Sequence, residues 1–323
     1  MRHFISRFRG RRHVAQCDNP LSVLGYHNVE STWRFPAKPG TGARNFGRQL
    51  QFLKRTANIV PLDAALDALQ AGRPLPPRAV AITFDDGYRD NLTLAVPILE
   101  RLRIPATMFL VPGFLSGGEH AWWERLAWAI TRSRAPALNF SDRCLDLGTV
   151  AERHAALAIV EEAVKHLDHT SRQAAVKDIV ATLEPEGTYH ADTLFMDWDG
   201  ARSMVRAGIS IGSHTMRHAI LARETDQAQH EDLSESRRLL EAELQTAVRT
   251  LAYPNGRAGD YNADTVAAAQ AAGYSHAFAA WGCTSCARTP RYAIRRRMVS
   301  TDRPALRLTV DVMRDLLEPR RLA

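Results

Sequence analysis

The sequence predicts an α/β fold, a parallel barrel or an open doubly wound sheet, on three observations. About seven short apolar or β-branched runs alternate with stretches of helical spacing along 323 residues. One run, Ala79 to Phe84, is almost wholly apolar or β-branched, as a parallel strand covered on both faces is. The polar residues able to do chemistry fall directly after such runs, where barrels and doubly wound sheets carry their sites.

Taken in order, Ser22 to Tyr26 reads as a buried strand that delivers His27 and Asn28 at its end. Phe46, Leu50, Leu53 and Ala57 share helical spacing over residues 44–57. A strand over Ile59 to Leu62, a helix over Ala64 to Leu69 and the breakers Pro74, Pro76 and Pro77 lead to the Ala79 strand. A helix over Leu92 to Leu102 and a strand over Ala106 to Val111 complete a βαβ unit. From about 117 to 197 the rhythm changes to helical patterns, one starting at Trp122 and Trp123 and a long Ala-rich one from Ala151 to Leu183, read as a helical insertion. The alternation then resumes: helix Gly200 to Ala207, strand Ile209 to Ser213, helix Glu231 to Leu244, strand Arg249 to Tyr253, helix Asp264 to Ala272, strand Ser275 to Ala279, and a last helix over Ala305 to Leu317. This divides the chain into a basic segment, 1–20, and one catalytic domain, 21–323, interrupted by the insertion.

Lys plus Arg number 42 against 35 Asp plus Glu, a net charge of +7 that matters for partners only where it clusters. Arg2, Arg7, Arg9, Arg11 and Arg12 form one cluster, open to two readings: a solvated terminus, or peripheral contact with anionic lipid. Arg291, Arg295, Arg296 and Arg297 form another. No nucleic-acid partner is expected. No run approaches the roughly 20 apolar residues of a membrane span, and no apolar signal core follows the basic start. The expectation is a cytoplasmic protein, at most peripheral to the inner membrane face, of unspecified oligomeric state. Cys283 and Cys286 supply two thiols where a structural zinc site wants four ligands, so incidental reduced thiols are the reading preferred over a metal site or a disulfide.

Asp85 and Asp86 are adjacent carboxylates after a buried strand, a costly arrangement unless a cation is near, and Gly87 permits a sharp turn. One carboxylate can ligate a metal while the other accepts a proton. In Gly212-Ser213-His214-Thr215-Met216-Arg217-His218 two imidazoles stand four apart, one helical turn. Two His and a carboxylate leave a ligand position for water, the pattern of a catalytic metal.

With T-F-D-D-G, S-H-T-x-x-H and A-Y-P-N-G in that order, the chain resembles the carbohydrate esterase polysaccharide deacetylases, over about residues 21–300. The resemblance implies a distorted (β/α)7–8 barrel, a divalent metal, usually Zn2+, and hydrolysis of an N-acetyl group from an amino sugar. It implies Asp85 as general base and Asp86, His214 and His218 as metal ligands. Two departures stand out. The family's Arg two residues before Pro254 is replaced by Ala252, so its contact with the base is absent or supplied elsewhere, while Asn255, with Tyr253 and Pro254 in the same loop, keeps a backbone N–H for an oxyanion. The usual late acid His is missing, but Tyr26-His27 resembles the early Y-H of the circularly permuted subgroup that includes biofilm poly-N-acetylglucosamine deacetylases, which implies His27 as the acid, with a merely structural His as the alternative.

Asp90 and Asn91 are candidates for holding the Asp85 loop, with a helix-start role as the alternative. Trp281 is a candidate sugar-stacking wall or, equally, a partly buried core residue, whereas Trp122, Trp123 and Trp198 read as core. The reading reached is deacetylation of an N-acetylated sugar, glycan or lipid-linked glycan intermediate. Two alternatives stand beside it: the same metal site acting on a non-sugar amide, and an inactive carbohydrate-binding relative, whose missing ligand or base this sequence does not show.

Overall fold

The computed structural model describes residues 20–35 and 41–317. Seven parallel strands close on themselves: β1 (Leu21–Tyr26), β2 (Ala79–Phe84), β3 (Ala106–Leu110), β4 (Ser210–Ser213), β5 (Thr250–Ala252), β6 (His276–Ala279) and β7 (Ile294–Met298). Each pairs with the next, and β7 and β2 both pair with β1, which completes the ring. Closure removes sheet edges and buries both faces of strands such as β2, all six of whose residues are buried, as its continuous apolar run requires. The barrel is thus the outcome, and the open sheet is excluded.

Side chains alternate along each strand. Leu24, Val80, Ile82 and Met108 point outward against the surrounding helices. Val23, Ala81, Phe109, Ala252 and Phe278 fill the interior. The helix Leu62–Gln70 packs Leu62, Ala65 and Leu66 with Leu21 and Ala79, which start their strands, and so plugs the amino-terminal mouth. The opposite mouth, where the strands end, is left for the site.

Two differences from the sequence reading have simple causes. The expected strand Ile59 to Leu62 is a two-residue pairing, Asn58–Ile59, on the side of β2, because a helix starts at Leu62 after Pro61. The seventh barrel strand is instead β7, I-R-R-R-M, whose three arginines hide its period. That basic group is therefore no surface patch for a polyanion: Arg296 is fully buried, Arg297 pairs with Asp315, and Arg295 lies over Trp281. The basic residues 2–12, and with them the lipid-contact expectation, lie outside the described residues.

Between β3 and β4 the chain forms the helices Trp122–Arg132, Val150–Val164 and His169–Leu183 around their own apolar cluster, plus an unanticipated hairpin, Ala137–Phe140 with Arg143–Asp146. The single long helix expected from Ala151 to Leu183 is broken at 165–168, where Asp168 accepts a bond from Ser171 N and starts a second helix. Among the described residues, no helix is long and apolar enough to cross a membrane. Cys286 is disulfide-bonded rather than a reduced thiol.

Candidate metal and acid–base site

All the principal candidates arrive on loops that leave the carboxyl ends of barrel strands. Asp85 and Asp86 follow β2, His214 and His218 follow β4, Tyr253 to Asn255 follow β5, and His27 follows β1. Ladder bonds carry the sheet one residue further at three of these exits: Asp85 N to Tyr26 O, His214 N to Leu110 O and Tyr253 N to Phe278 O. The side chains thereby start from fixed backbone.

At Asp86 the chain turns over with φ +71°, followed by Gly87 at +83°. This left-handed pair aims two consecutive carboxylates in different directions, a strain of the kind active sites retain. Leu110 Cδ2 would lie 3.0 Å from a Cβ at Gly87, so a side chain there fits neither the space nor the backbone.

Asp85 meets a cation from inside the barrel. Arg296, on β7, donates from Nη1 to Oδ1 at 2.7 Å and from Nη2 to Oδ2 at 2.8 Å, a bidentate pair with both partners buried. The guanidinium also lies over the rings of Phe109 and Phe278, 5.2 and 6.0 Å from their centroids. Gly25 makes room, since a Cβ there would stand 2.7 Å from Met298 Sδ and 3.6 Å from Arg296 Nη1. Burial pushes the Asp85 carboxyl up, but Arg296 and His214 outweigh it and hold it below its usual range. The arginine that Ala252 fails to provide is thus supplied two strands away. Ala252 itself is buried against the interior cluster.

Asp86 meets imidazoles instead. Its Oδ1 lies 3.4 Å from His214 Nε2 and 3.3 Å from His218 Nε2, and one ligand atom from each of the three residues lies within 4.8 Å of the others. His214 Nδ1 is 2.7 Å from the Ala252 carbonyl, which only accepts, so Nδ1 carries the proton and Nε2 presents a lone pair toward Asp86. The two histidines do not share a helix face as the spacing suggests. They sit on an irregular loop with Thr215 at φ +65° and His218 at +56°, pinned by Met216 N donating to Asp232 Oδ1 and by Gly113 N donating to Met216 O. Burial pushes the Asp86 carboxyl up, yet the two histidines pull it far below its usual range. Burial also takes His218 down to about 4, leaving it neutral, whereas for His214 the two carboxylates overcome burial and raise it. Asp86 Oδ1 and His218 Nδ1 are buried with no hydrogen-bond partner. An oxygen left without a donor between two imidazoles fits a divalent ion.

These groups share one cavity of about 500 Å³ with His27, Tyr253, Asn255, Trp122 and Trp123. Asp90 and Asn91 serve the His27 side of it. Asp90 Oδ2 accepts from Val29 N and Glu30 N, both at 2.8 Å, and Asn91 donates to His27 O at 2.7 Å, so they hold the loop after β1 rather than the Asp85 loop. Tyr253 is buried, stacks on Tyr261 and donates to Tyr292 O. Pro254 is buried beneath Asn255 and Gly256, which both take positive φ. A Cβ at Gly256 would meet Ala280 N at 2.6 Å.

Trp281 is not among the residues lining the cavity, and its ring instead carries the Arg295 guanidinium at 5.0 Å. The aromatic wall is Trp122 and Trp123, read from sequence as core. Both are nearly buried, yet they line the cavity, and the Trp123 ring lies 4.4 Å from that of His218. Trp123 is fixed by Nε1 donating to Tyr88 Oη, which donates in turn to Glu124.

The family model described as polysaccharide deacetylase matches residues 72–277. The YxkH protein of Bacillus subtilis is 24% identical over 258 residues, 79% of this chain and 62% of that one. The poly-beta-1,6-N-acetyl-D-glucosamine N-deacetylase of Escherichia coli K12 is 33% identical over 92 residues, 27% of this chain and 13% of that one. The chain thus spans less than two thirds of either relative's length. Among solved structures, the Streptococcus pyogenes deacetylase PplD superposes with a TM-score of 0.60 at 16% identity, covering 92% of this chain and 99% of that one. IcaB from Ammonifex degensii superposes with a TM-score of 0.59 at 18% identity, covering 92% and 98%. At such identities these two superpositions bear on fold, and the fold they share is this barrel.

Proposed function

The chain belongs to the polysaccharide deacetylase family, and from that premise we propose that it is a metal-dependent hydrolase removing an N-acetyl group from an amino sugar of a glycan. One observation carries the reading. A single cavity holds a carboxylate clamped by arginine, a second carboxylate left open between two imidazoles, and a third imidazole on a separate strand end.

In this reading Asp86, His214 and His218 hold the ion, with zinc as the best match to the donors. When bound, the ion supplies a Lewis acid that polarises the acyl oxygen and activates water. Asp85 takes the proton of the attacking water on its carboxylate, while Arg296 keeps that group oriented and ionised until then. The Asn255 backbone N–H faces the oxyanion as it develops, with its loop set by Tyr253 and Pro254. His27 delivers a proton to the amine nitrogen as the C–N bond breaks, and the grip of Asp90 and Asn91 on its loop keeps the ring in place. Trp122 and Trp123 exclude water and offer the sugar an apolar face.

The test is acetate release from N-acetylglucosamine oligosaccharides by the zinc-loaded chain. Asp85→Asn should lower kcat by about 10²- to 10⁴-fold, and His27→Gln by a similar factor, with little change in KM. Unchanged acetate release by Asp85→Asn rules out this mechanism.

A further inference from the structure

Beyond the reacting groups, the cavity has a second charged region. Lys165 ends the insertion helix Val150–Val164, Arg223 ends the short turn Leu221–Arg223 downstream of His218, and Arg257 lies just past Asn255 and Gly256. All three line the cavity. None forms an ion pair among the described residues, unlike Arg34 on the same wall, which pairs with Glu161. Arg223 Nε is buried without a hydrogen-bond partner.

The carboxylate nearest this group in effect is Asp260, which feels Arg223, Arg257 and Lys165 together. Its Oδ2 accepts from Arg257 N at 2.9 Å, and its carbonyl accepts from Ala222 N at 3.1 Å, so it ties the two loops together. One anion used in a turn faces three cations. Arg172, fully buried behind Trp122 with Nη1 unpartnered, lies nearby, and Glu224 and Asp168 act on it as well as Asp260. Of the other carboxylates lining this side, Glu161 pairs with Arg34, and Glu162 is exposed and lies 3.9 Å from His166.

A cavity of about 500 Å³ is in the range of sites for ligands larger than a single acetamide, so bound substrate extends past the reacting group. Three cations on converging segments that share one carboxylate and make no ion pair among the described residues are an arrangement suited to receive an anionic group. We propose that Lys165, Arg223 and Arg257 form an anion subsite for a phosphate or carboxylate carried by the glycan next to the sugar that loses its acetyl group. This rests on the deacetylase reading given above.

The experiment compares three substrates of equal length: a neutral N-acetylglucosamine oligosaccharide, the same oligosaccharide with a terminal phosphate, and one with alternating uronate. The proposal expects kcat/KM to favour at least one charged substrate by about tenfold at low salt, mainly through KM, with the advantage shrinking as salt rises. Whichever arm is favoured identifies phosphate or carboxylate as the source. In Arg257→Gln, an exposed position that folding does not depend on, and in Arg223→Gln, the charged-to-neutral ratio should fall toward one. Equal kcat/KM for all three substrates, or a ratio untouched by both variants, overturns the proposal. If no substrate releases acetate, the deacetylase reading fails, and calorimetric binding of the same three oligosaccharides still decides. Tighter binding of a charged one, lost in Arg223→Gln, supports the subsite, and equal binding refutes it.

Discussion

Asp85 and Asp86 are neighbours in the chain, yet they face two regions built on opposite principles. On the barrel side, Asp85 finds a complete set of partners within the protein, in the Arg296 fork and the aromatic rings beneath it. On the cavity side, Asp86 finds two imidazoles and an oxygen that nothing satisfies. The comparison shows how one strand end serves two tasks. In the proposed mechanism the charge compensated from inside is the base, and the charge left open is the one that holds a ligand.

The largest expected effect lies on the compensated side. Arg296→Gln leaves a buried carboxylate without its cation and should cost about 3 to 5 kcal/mol of stability in urea unfolding. The double replacement Arg296→Met with Asp85→Leu should recover most of that loss, because the burden is the unpaired charge rather than the missing contact. A small loss in the single variant would mean that Asp85 can do without the clamp.

Asp90 offers a third case, a partly buried carboxylate held by amides and no cation. Burial outweighs its backbone donors and pushes its pKa up to about 6, from 3.8. The folded state therefore binds a proton that the unfolded state has released between about pH 4 and pH 6, and stability falls as pH rises across that window. Asp90→Asn cannot titrate, so the stability of the wild type relative to this variant should drop by about 2 kcal/mol between pH 4 and pH 7. A gap that stays constant or grows with pH would show that amide donors alone suffice to keep a partly buried carboxylate ionised, and that Asp85 does not depend on its arginine for that.

Much of this was legible in the sequence, for a physical reason. Strands buried on both faces must be continuously apolar, so β2 and β3 stand out, and polar residues at their ends mark the site. What stayed hidden were contacts whose cause is three-dimensional. Arg296 looked like surface charge because nothing local shows that β7 turns that residue inward beneath Asp85. The His214–His218 spacing suggested a helix, whereas the loop reaches the same convergence through two left-handed residues. Trp122 and Trp123 were legible as buried but not as a wall, since the insertion's placement over the barrel mouth sets that role. Trp281, in a strand-end loop by sequence, leans on Arg295 instead.

The most direct test of the division between the two carboxylates is calorimetric zinc binding to metal-stripped Asp85→Asn and Asp86→Asn. Asp85→Asn should bind one equivalent with near wild-type affinity while inactive, and Asp86→Asn should bind at least about 100-fold more weakly. Equal zinc affinity in the two variants, whether retained or lost, would contradict that division.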